Sequence, residues 1–265
     1  MYEFLIGVGL VITTTIFSKM YFRPSNKNGD KDFFKLLLKS AKLSKKSYKG
    51  FNNPNVLFFD KNDAQAYIWK ENNQIYLIFR GTESKNDILT DLNVFTTKIS
   101  KGVYVHKGFD DQLNSIYPEI CEKINSYSDC KNILISGHSL GGALATLSSY
   151  RLHDNYPNHN ILCHTFGSPR VGNDLFAKLV GSENQPNSCR VYNYEDPVPM
   201  TPMSFRFKHA NVNNLCLDNN GKFDNINRDH RFWLRPFTSL VYCRFWNPIE
   251  PHSIDNYINL LKKNT

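Results

Sequence analysis

The stretch that decides the fold is Asn132-Ile-Leu-Ile-Ser-Gly-His-Ser-Leu-Gly-Gly-Ala-Leu-Ala-Thr-Leu-Ser-Ser149. It begins with a short apolar run at residues 133–135. After Gly141, small and apolar side chains recur at helical spacing. The pattern predicts a buried strand, a sharp turn and a helix, with Ser139 at the turn.

The turn carries a Gly-x-Ser-x-Gly motif, formed by Gly137, Ser139 and Gly141. Between a strand and a helix this motif is typical of the nucleophile elbow of α/β-hydrolases. The serine of such an elbow has a strained backbone, and the residues two before and two after it crowd the turn unless they lack a Cβ. The start of the helix offers backbone N–H groups to a developing oxyanion. The alternative is a purely structural strand-turn-helix unit.

Length and charge restrict the function classes. A chain of 265 residues is long enough for one α/β domain with a full core. Its net charge of +8 comes almost entirely from the segment 19–49, which holds ten Lys or Arg and two Asp. A nucleic-acid enzyme would spread basic residues over its body, so we expect no nucleic-acid partner. The six cysteines show no metal-binding spacing, and they could form three disulfides or none: Cys121, Cys130, Cys163, Cys189, Cys216 and Cys243.

The N-terminus carries a separate hydrophobic segment. Residues 4–22 are apolar apart from threonines, Ser18 and Lys19, and as a helix they would span about 28 Å. We predict an uncleaved membrane anchor over residues 1–23, a linker over 24–30 and a hydrolase domain over 31–265. Because the basic residues follow the segment, the domain is expected on the cytosolic side. A cleaved signal peptide, which would make the protein secreted, and a plain buried helix are the alternatives.

A basic amphipathic helix is predicted over residues 32–48. Phe34, Leu37, Leu38 and Ala41 mark its apolar side, and lysines recur every three or four residues on another side. Such a helix beside an anchor suits an anionic membrane surface. It equally suits an ordinary packing helix with a solvated face, so two interpretations of residues 31–49 are open.

The rest of the chain alternates strand-like and helix-like segments. Strands are predicted at 56–60, 64–70, 74–80, 161–166 and 189–194, and a helix at 109–125. These segments, together with the elbow, indicate an α/β fold with a mainly parallel central sheet flanked by helices. In such a fold the site lies at the carboxyl ends of the strands.

A serine nucleophile needs a base, and the base needs an orienting acid. In α/β-hydrolases the chain order is serine, acid, histidine. Asp196 follows a predicted strand and is held by two prolines, which makes it the preferred acid, with Glu195 as the alternative. His252 lies in a loop just before a predicted helix and is the preferred base, with His230 as the alternative.

Several blocks resemble the class 3 (fungal-type) lipases in the order that this family has. The resemblance implies an α/β-hydrolase fold and hydrolysis of lipid esters without a metal or cofactor. It implies that Ser139 is the nucleophile, Asp196 the orienting acid and His252 the general base. It also implies an oxyanion hole formed by the backbone N–H groups of Thr82 and Leu140. The blocks are Ile78-Phe-Arg-Gly-Thr82, Asp87-Ile-Leu-Thr-Asp-Leu92, Val105-His-Lys-Gly-Phe109, Gly137-His-Ser-Leu-Gly-Gly-Ala-Leu-Ala145, Thr165-Phe-Gly-Ser-Pro-Arg-Val-Gly-Asn173, Tyr194-Glu-Asp-Pro-Val-Pro199 and His252-Ser-Ile-Asp-Asn-Tyr257. The stretch Ala41-Lys-Leu-Ser-Lys-Lys-Ser-Tyr48 also resembles the family's first helix.

Two segments depart from the family pattern. The predicted lid, residues 84–97, is polar, which argues against strong activation at a lipid surface, and residues 221–248 match no block. His106, His138 and Arg170 are interpreted as structural members of the site network. The alternative functions are a lipid-binding scaffold without turnover, because a fold does not fix a function, and an esterase for thioesters or soluble esters.

Overall fold

The computed structural model describes residues 27–82, 94–180, 188–202, 205–210, 213–218, 220–221, 223–224 and 249–265. The predicted anchor at 4–22, most of the predicted lid, nearly all of the unaligned stretch 221–248, and His230 lie outside the described residues. No helix among the residues that the structure describes combines the length and the apolar character needed to cross a membrane.

The described chain contains six α-helices and ten β-strands. The helices are α1 (Lys27–Ser47), α2 (Lys107–Ser126), α3 (Leu140–Asn155), α4 (Asp174–Leu179), α5 (Ile249–His252) and α6 (Ile254–Lys262). The strands are β1 (Leu57–Lys61), β2 (Ala64–Glu71), β3 (Gln74–Phe79), β4 (Thr96–Ser100), β5 (Val103–His106), β6 (Asn132–His138), β7 (Asn160–Phe166), β8 (Cys189–Asn193), β9 (Asn213–Leu217) and β10 (Phe223–Asp224). A short 3₁₀ helix, Val198–Met200, follows β8.

The central sheet has eight strands in the order β1-β2-β3-β6-β7-β8-β9-β10. Its five middle strands, from β3 to β9, pair in parallel, while the strands at both edges pair antiparallel. A separate hairpin is formed by β4 and β5. The prediction of a mainly parallel sheet flanked by helices is therefore confirmed, and β6, which carries the elbow, lies inside the sheet.

Side chains of β6 alternate between the two faces of the sheet, as the period of a strand requires. Ile133 and Ile135 join the core on the face covered by α2 and α3, whereas Leu134 joins a cluster on the opposite face. On that opposite face α1 packs against α6 and against β6 and β7. The sheet is thus covered by helices on both faces, which leaves the ends of the strands as the place for a site.

Helix α1 begins at Lys27, inside the stretch predicted as a linker. It buries its apolar side, and it also buries serines that bond to the sheet: Ser40 Oγ lies 2.8 Å from His164 Nδ1, and Ser44 Oγ lies 2.9 Å from Ser136 Oγ. Buried polar groups of this kind need such partners. The interpretation of this segment as a packing helix with a solvated lysine face is therefore supported.

The cysteines in the described part of the chain carry free thiols. Cys163 and Cys189 are buried, and loss of solvation raises the pKa of each thiol to about 12. The sequence left open whether the cysteines form disulfides or stay reduced, and the described cysteines are reduced. Cys243 lies outside them.

Candidate active site

The elbow has the strained geometry that its sequence predicts. Ser139 has φ 59° and ψ −128°, a left-handed φ that is costly for a residue with a side chain. A Cβ added at Gly137 would lie 2.1 Å from the carbonyl oxygen of Gly141, and one added at Gly141 would lie 2.4 Å from that of Phe79. Both glycines of the motif are therefore required by close backbone contacts. The second contact also brings the start of α3 against the end of β3.

The side chain of His252 lies between those of Ser139 and Asp196. Its Nε2 is 2.8 Å from Ser139 Oγ, and its Nδ1 is 2.8 Å from Asp196 Oδ2. All three residues are buried. A neutral imidazole whose Nδ1–H donates to the carboxylate has its Nε2 lone pair available for the serine proton. The structure thus brings together the three residues that the sequence singled out, in a geometry suited to activating a serine hydroxyl.

Three donors hold the carboxylate of Asp196. Oδ1 accepts from the backbone N–H of Val198 at 2.9 Å, and Oδ2 accepts from Tyr257 at 2.6 Å as well as from His252. Burial, followed by the charge of Asp196, raises the pKa of Tyr257 well above its usual range, so its hydroxyl stays protonated and donates. Asn193 N–H donates in turn to the Tyr257 oxygen at 3.0 Å. The acid therefore cannot rotate without breaking several bonds.

The alternative site residues are placed differently. Glu195 is exposed beside the buried Asp196, and His252 contacts Asp196. His230 lies outside the described residues. The local structure at His252 also differs from the prediction, because this residue ends the short helix α5 instead of lying in a loop. Ser253 then caps α6 by accepting from the backbone N–H of Asp255.

A glycine after β7 makes room for the histidine and the acid. Gly167 has φ +58°, and a Cβ there would lie 2.8 Å from Asp196 Oδ2 and 3.1 Å from the His252 ring. The space behind the His252–Asp196 pair is thus filled by a residue without a side chain. Any larger residue would have to displace the pair.

The predicted oxyanion donors lie on the two segments that meet at the elbow. Leu140 is the first residue of α3, where the backbone N–H has no partner within its own helix. The preceding N–H, that of Ser139, donates to Phe166 O at 3.0 Å. Thr82 follows Arg80 and Gly81, which come after Phe79 at the end of β3, and it is half-buried. The contact of Gly141 with the Phe79 and Arg80 backbone places these two segments side by side.

His138 and Tyr48 form a second layer behind the site. His138 Nε2 lies 2.7 Å from the backbone oxygen of His252, and Nδ1 lies 2.8 Å from the Tyr48 hydroxyl. The His138 and His252 rings lie 4.6 Å apart between centroids. The interpretation of His138 as a member of the site network agrees with these contacts.

The other two predicted network members have structural positions. His106 caps α2 by accepting from the backbone N–H of Phe109 at 3.4 Å. Arg170 donates to the carbonyl oxygens of Met200, at 2.6 Å, and Pro202, at 3.1 Å. Arg170 therefore fastens the loop that follows Asp196.

A model of the class 3 lipases matches residues 76–205. Residues 76–205 belong to the class 3 lipase family. A lipase of Rhizopus niveus is 36% identical to this chain over 161 residues, which are 57% of the chain and 41% of the relative. The "Secreted mono- and diacylglycerol lipase 1" of Fusarium solani is 31% identical over 159 residues, 57% of the chain and 46% of the relative.

The solved structures include a triacylglycerol lipase described as having a serine-protease triad as its catalytic centre. It is similar to this chain with a TM-score of 0.63 and 26% identity, over 78% of this chain and 91% of the other. The described chain thus has the α/β-hydrolase fold. The chain spans less than half the length of the curated relatives named above.

The family match separates a matched core, residues 76–205, from the segments that flank it. The matched core, residues 76–205, contains Thr82, Ser139, Leu140 and Asp196. His252 lies outside it, and so do two residues that the sequence did not assign to the site, Tyr48 and Tyr257. Tyr257 ends the quoted His252 block, and Tyr48 ends the block at residues 41–48, but neither block indicated a contact. In each case the sequence offered one signal for a site residue, which was the tyrosine at the end of a family-like block.

Proposed function

We propose that this chain is a serine ester hydrolase of the class 3 lipase type that cleaves acyl glycerides or related lipid esters. The observation that carries the proposal is the position of His252, which is 2.8 Å from both the Ser139 hydroxyl and the Asp196 carboxylate. Membership of the matched core in the class 3 lipase family supports the same reaction. Ser139 is the proposed nucleophile, His252 the general base and acid, and Asp196 the residue that orients His252.

In the proposed reaction Ser139 Oγ attacks the ester carbonyl carbon while its proton passes to His252 Nε2. The tetrahedral intermediate collapses when the C–O bond to the alcohol breaks, and His252 returns the proton to the leaving oxygen. Water then attacks the acyl-enzyme, with His252 taking its proton, and releases the acid and Ser139. Asp196 stays ionised throughout and stabilises the imidazolium.

The oxyanion of each tetrahedral intermediate needs donors aimed at it. The backbone N–H groups of Leu140 and Thr82 are proposed for this role, with the Thr82 hydroxyl assisting. Support comes from their positions, at the start of α3 and the end of β3, on segments that touch through Gly141. Losing one such donor typically costs about 2.7–4 kcal/mol in the barrier.

The test of the function is Ser139→Ala with Ser136→Ala as a matched control. Both serines are buried on the same strand-turn unit, but Ser136 Oγ bonds to Ser44 Oγ. We expect Ser139→Ala to abolish hydrolysis of emulsified glycerides and labelling by a fluorophosphonate, with the melting temperature retained. Ser136→Ala should keep both activities. Hydrolysis by the Ser139→Ala variant would contradict the proposal.

The alternative functions are separated by the same reagents. A scaffold without turnover predicts that the native protein neither hydrolyses esters nor reacts with the fluorophosphonate. A thioesterase or soluble esterase predicts labelling with a preference for soluble substrates. Val94 and Phe95, which are 46% and 66% exposed at the described end of the predicted lid, favour an apolar acyl substrate. A panel of glycerides, thioesters and short p-nitrophenyl esters therefore decides the substrate class.

Membrane attachment is a separate part of the proposal. It rests on the apolar sequence of residues 4–22 and on the exposed lysines of α1, such as Lys31, Lys35 and Lys42. We propose a single-pass anchor with the hydrolase domain on the cytosolic side. Fractionation of cells expressing the full chain or a chain without residues 1–23 tests it. If the expressed protein is recovered from the medium with this segment removed, secretion is favoured instead. The name of the Fusarium solani relative describes that protein as secreted.

A further inference from the structure

Tyr48 and His138 lie behind the proposed triad and have no role in the reaction as written above. We propose that they form a positioning pair, which holds the backbone of His252 and sets the spacing between the nucleophile elbow and the oxyanion strand β3. The inference rests on the proposed function, since it concerns the same site. Tyr48 is outside the matched core and belongs to the segment that follows α1.

The tautomer of His138 follows from its partners. The backbone oxygen of His252, 2.7 Å from Nε2, can only accept, so Nε2 carries the hydrogen. In the neutral ring Nδ1 is then an acceptor, and the Tyr48 hydroxyl 2.8 Å away donates to it. The hydroxyl of Tyr48 therefore selects the tautomer that lets His138 hold His252, in the way that a second hydrogen bond usually fixes an imidazole.

The contact with the His252 backbone affects the position of the catalytic ring. His252 ends α5, a helix of only four residues, so few hydrogen bonds of its own hold it. The His138 ring lies 4.6 Å from that of His252, tilted by 32°. The bond to the His252 backbone and the ring contact therefore add to the hydrogen bond from Asp196 in fixing the place and the tilt of the imidazole. A misplacement of about 1 Å at a catalytic group can cost about 100-fold in rate.

Tyr48 also touches the oxyanion strand. A Cβ added at Gly81, the residue before Thr82, would lie 2.2 Å from the Tyr48 hydroxyl and 2.6 Å from the backbone oxygen of His138. The hydroxyl thus occupies the space between β3 and β6 at their carboxyl ends. Because Gly81 lacks a side chain, one tyrosine can contact the nucleophile side and the oxyanion side at once.

The first test compares Tyr48→Phe with Tyr76→Phe. Both tyrosine hydroxyls join the α1 region to the sheet, but that of Tyr76 accepts from Lys39 Nζ at 2.6 Å, away from the strand ends. We expect Tyr48→Phe to lower kcat about tenfold with KM within twofold. Tyr76→Phe should leave both values within twofold, and the melting temperature of each variant is measured as the folding control.

The second test uses the two amide isosteres of histidine at position 138. In His138→Gln the side-chain amide reaches the place of Nε2 and can still donate to the His252 oxygen. In His138→Asn the amide reaches only the place of Nδ1. We expect His138→Gln to retain most of kcat and His138→Asn to lose at least tenfold. A non-additive effect in the Tyr48→Phe/His138→Asn double variant would show that the pair acts as one unit.

A readout without substrate separates this inference from the proposed function. The proton on His252 Nδ1 gives a low-field NMR resonance when it is held against a carboxylate. Tyr48→Phe and His138→Asn should broaden or shift it, whereas Tyr76→Phe and His138→Gln should not. If the native protein hydrolyses no ester, the proposed function fails. The NMR resonance then tests by itself whether Tyr48 and His138 position His252. Equal effects of the two tyrosine variants, or of the two His138 variants, would overturn the inference.

Discussion

The matched core and the segments that flank it contribute to the proposed site in different ways. The core places its residues at strand ends, where the backbone itself dictates the geometry: Ser139 has a strained φ of 59°, and Asp196 follows β8. The flanking segments place their site residues by the packing of helices that lie far from the core residues in sequence. His252 comes from α5, Tyr257 from α6 and Tyr48 from the end of the α1 segment.

One hydrophobic cluster joins the two flanks. Leu37 and Ala41 of α1 are buried with Tyr257 and Leu261 of α6, against Phe166 of the core strand β7. The exposed rim of this contact adds an ion pair between Lys45 and Asp255. The two regions thus differ in what positions their residues: local backbone constraints position Ser139, whereas burial of apolar surface positions His252.

Among substitutions that leave Ser139, Asp196 and His252 unchanged, the largest effect is expected at the place where the two regions meet. In Gly167→Ala the new Cβ would collide with Asp196 Oδ2 and the His252 ring, and the residue would keep a strained φ of +58°. We expect kcat/KM to fall by about 100-fold or more, because His252, the proposed base, is displaced from Ser139. Hydrolysis rates and the rate of fluorophosphonate labelling measure the loss.

Gly102→Ala is the control for backbone strain. Gly102 also has a positive φ, +76°, but its Cβ would meet only the Leu175 side chain, at 3.2 Å, in the turn between β4 and β5. We expect a lower melting temperature with nearly unchanged kcat. If both alanine variants lost activity equally, strain would be the cause, and Gly167 would have no special relation to the base.

A smaller effect is expected from the flank alone. Tyr257→Phe removes one of the donors to Asp196 while keeping the ring in the core. A hydrogen bond to a charged group is worth about 1.5–3 kcal/mol, and part of this is recovered because His252 and Val198 still donate. We therefore expect kcat to fall about tenfold with little change in KM, measured on a soluble ester.

Tyr156→Phe is the matched control for Tyr257→Phe. Its hydroxyl donates to Cys121 O at 3.2 Å, on the α2 side of the molecule. This variant should keep the native kcat. If the Tyr257→Phe variant is as active as Tyr156→Phe, the remaining donors hold Asp196 without the tyrosine, and His252 is the only residue of the C-terminal flank that the site needs.

The contrast between the regions also explains what the sequence could predict. The elbow, the acidic residue after β8 and the α/β architecture all leave local patterns in the sequence. A strand end or a glycine spacing involves only residues that are close together in the chain. His252 was found from the chain order of the triad and from the resemblance of its block. The partners of Asp196 other than His252 left no such pattern.

The contacts of Tyr48 and Tyr257 could not be predicted from local patterns. Each depends on how α1 and α6 pack, and the hydrogen-bond partners lie 90 and 61 residues away in sequence. The start of α1 at Lys27 was likewise missed, since Asn28 and Gly29 read as a turn while the observed helix includes them. Tertiary packing overrides weak local propensity in such places.

The smallest expected effect concerns a histidine that lies just past the matched core and supports it. His209 is buried, and its Nε2–H donates to Pro199 O at 2.7 Å, in the loop that follows Asp196. Burial, and then the charges of Arg190 and Arg170, lower the pKa of His209 well below 6.5, while the bond to Pro199 acts the other way. The unfolded chain therefore binds a proton near pH 6.5 that the folded protein does not.

The sign of the pH dependence follows from linkage. Above pH 6.5 both states are neutral at this position, and His209 contributes no pH dependence. As the pH falls below 6.5, the unfolded state gains the proton, so the free energy of unfolding falls by up to about 1.4 kcal/mol per pH unit for this one group.

Urea unfolding of the native protein and of His209→Gln between pH 8 and 5 measures the difference, and the variant should lose this slope. His159→Gln is the comparison variant: His159 is half-buried in the turn before β7, and burial, followed by the charge of Lys131, lowers its pKa as well, so it shows the slope of a less buried histidine. Parallel curves for the native protein and His209→Gln would mean that His209 takes up its proton in the folded state as readily as in the unfolded chain, which would contradict the prediction.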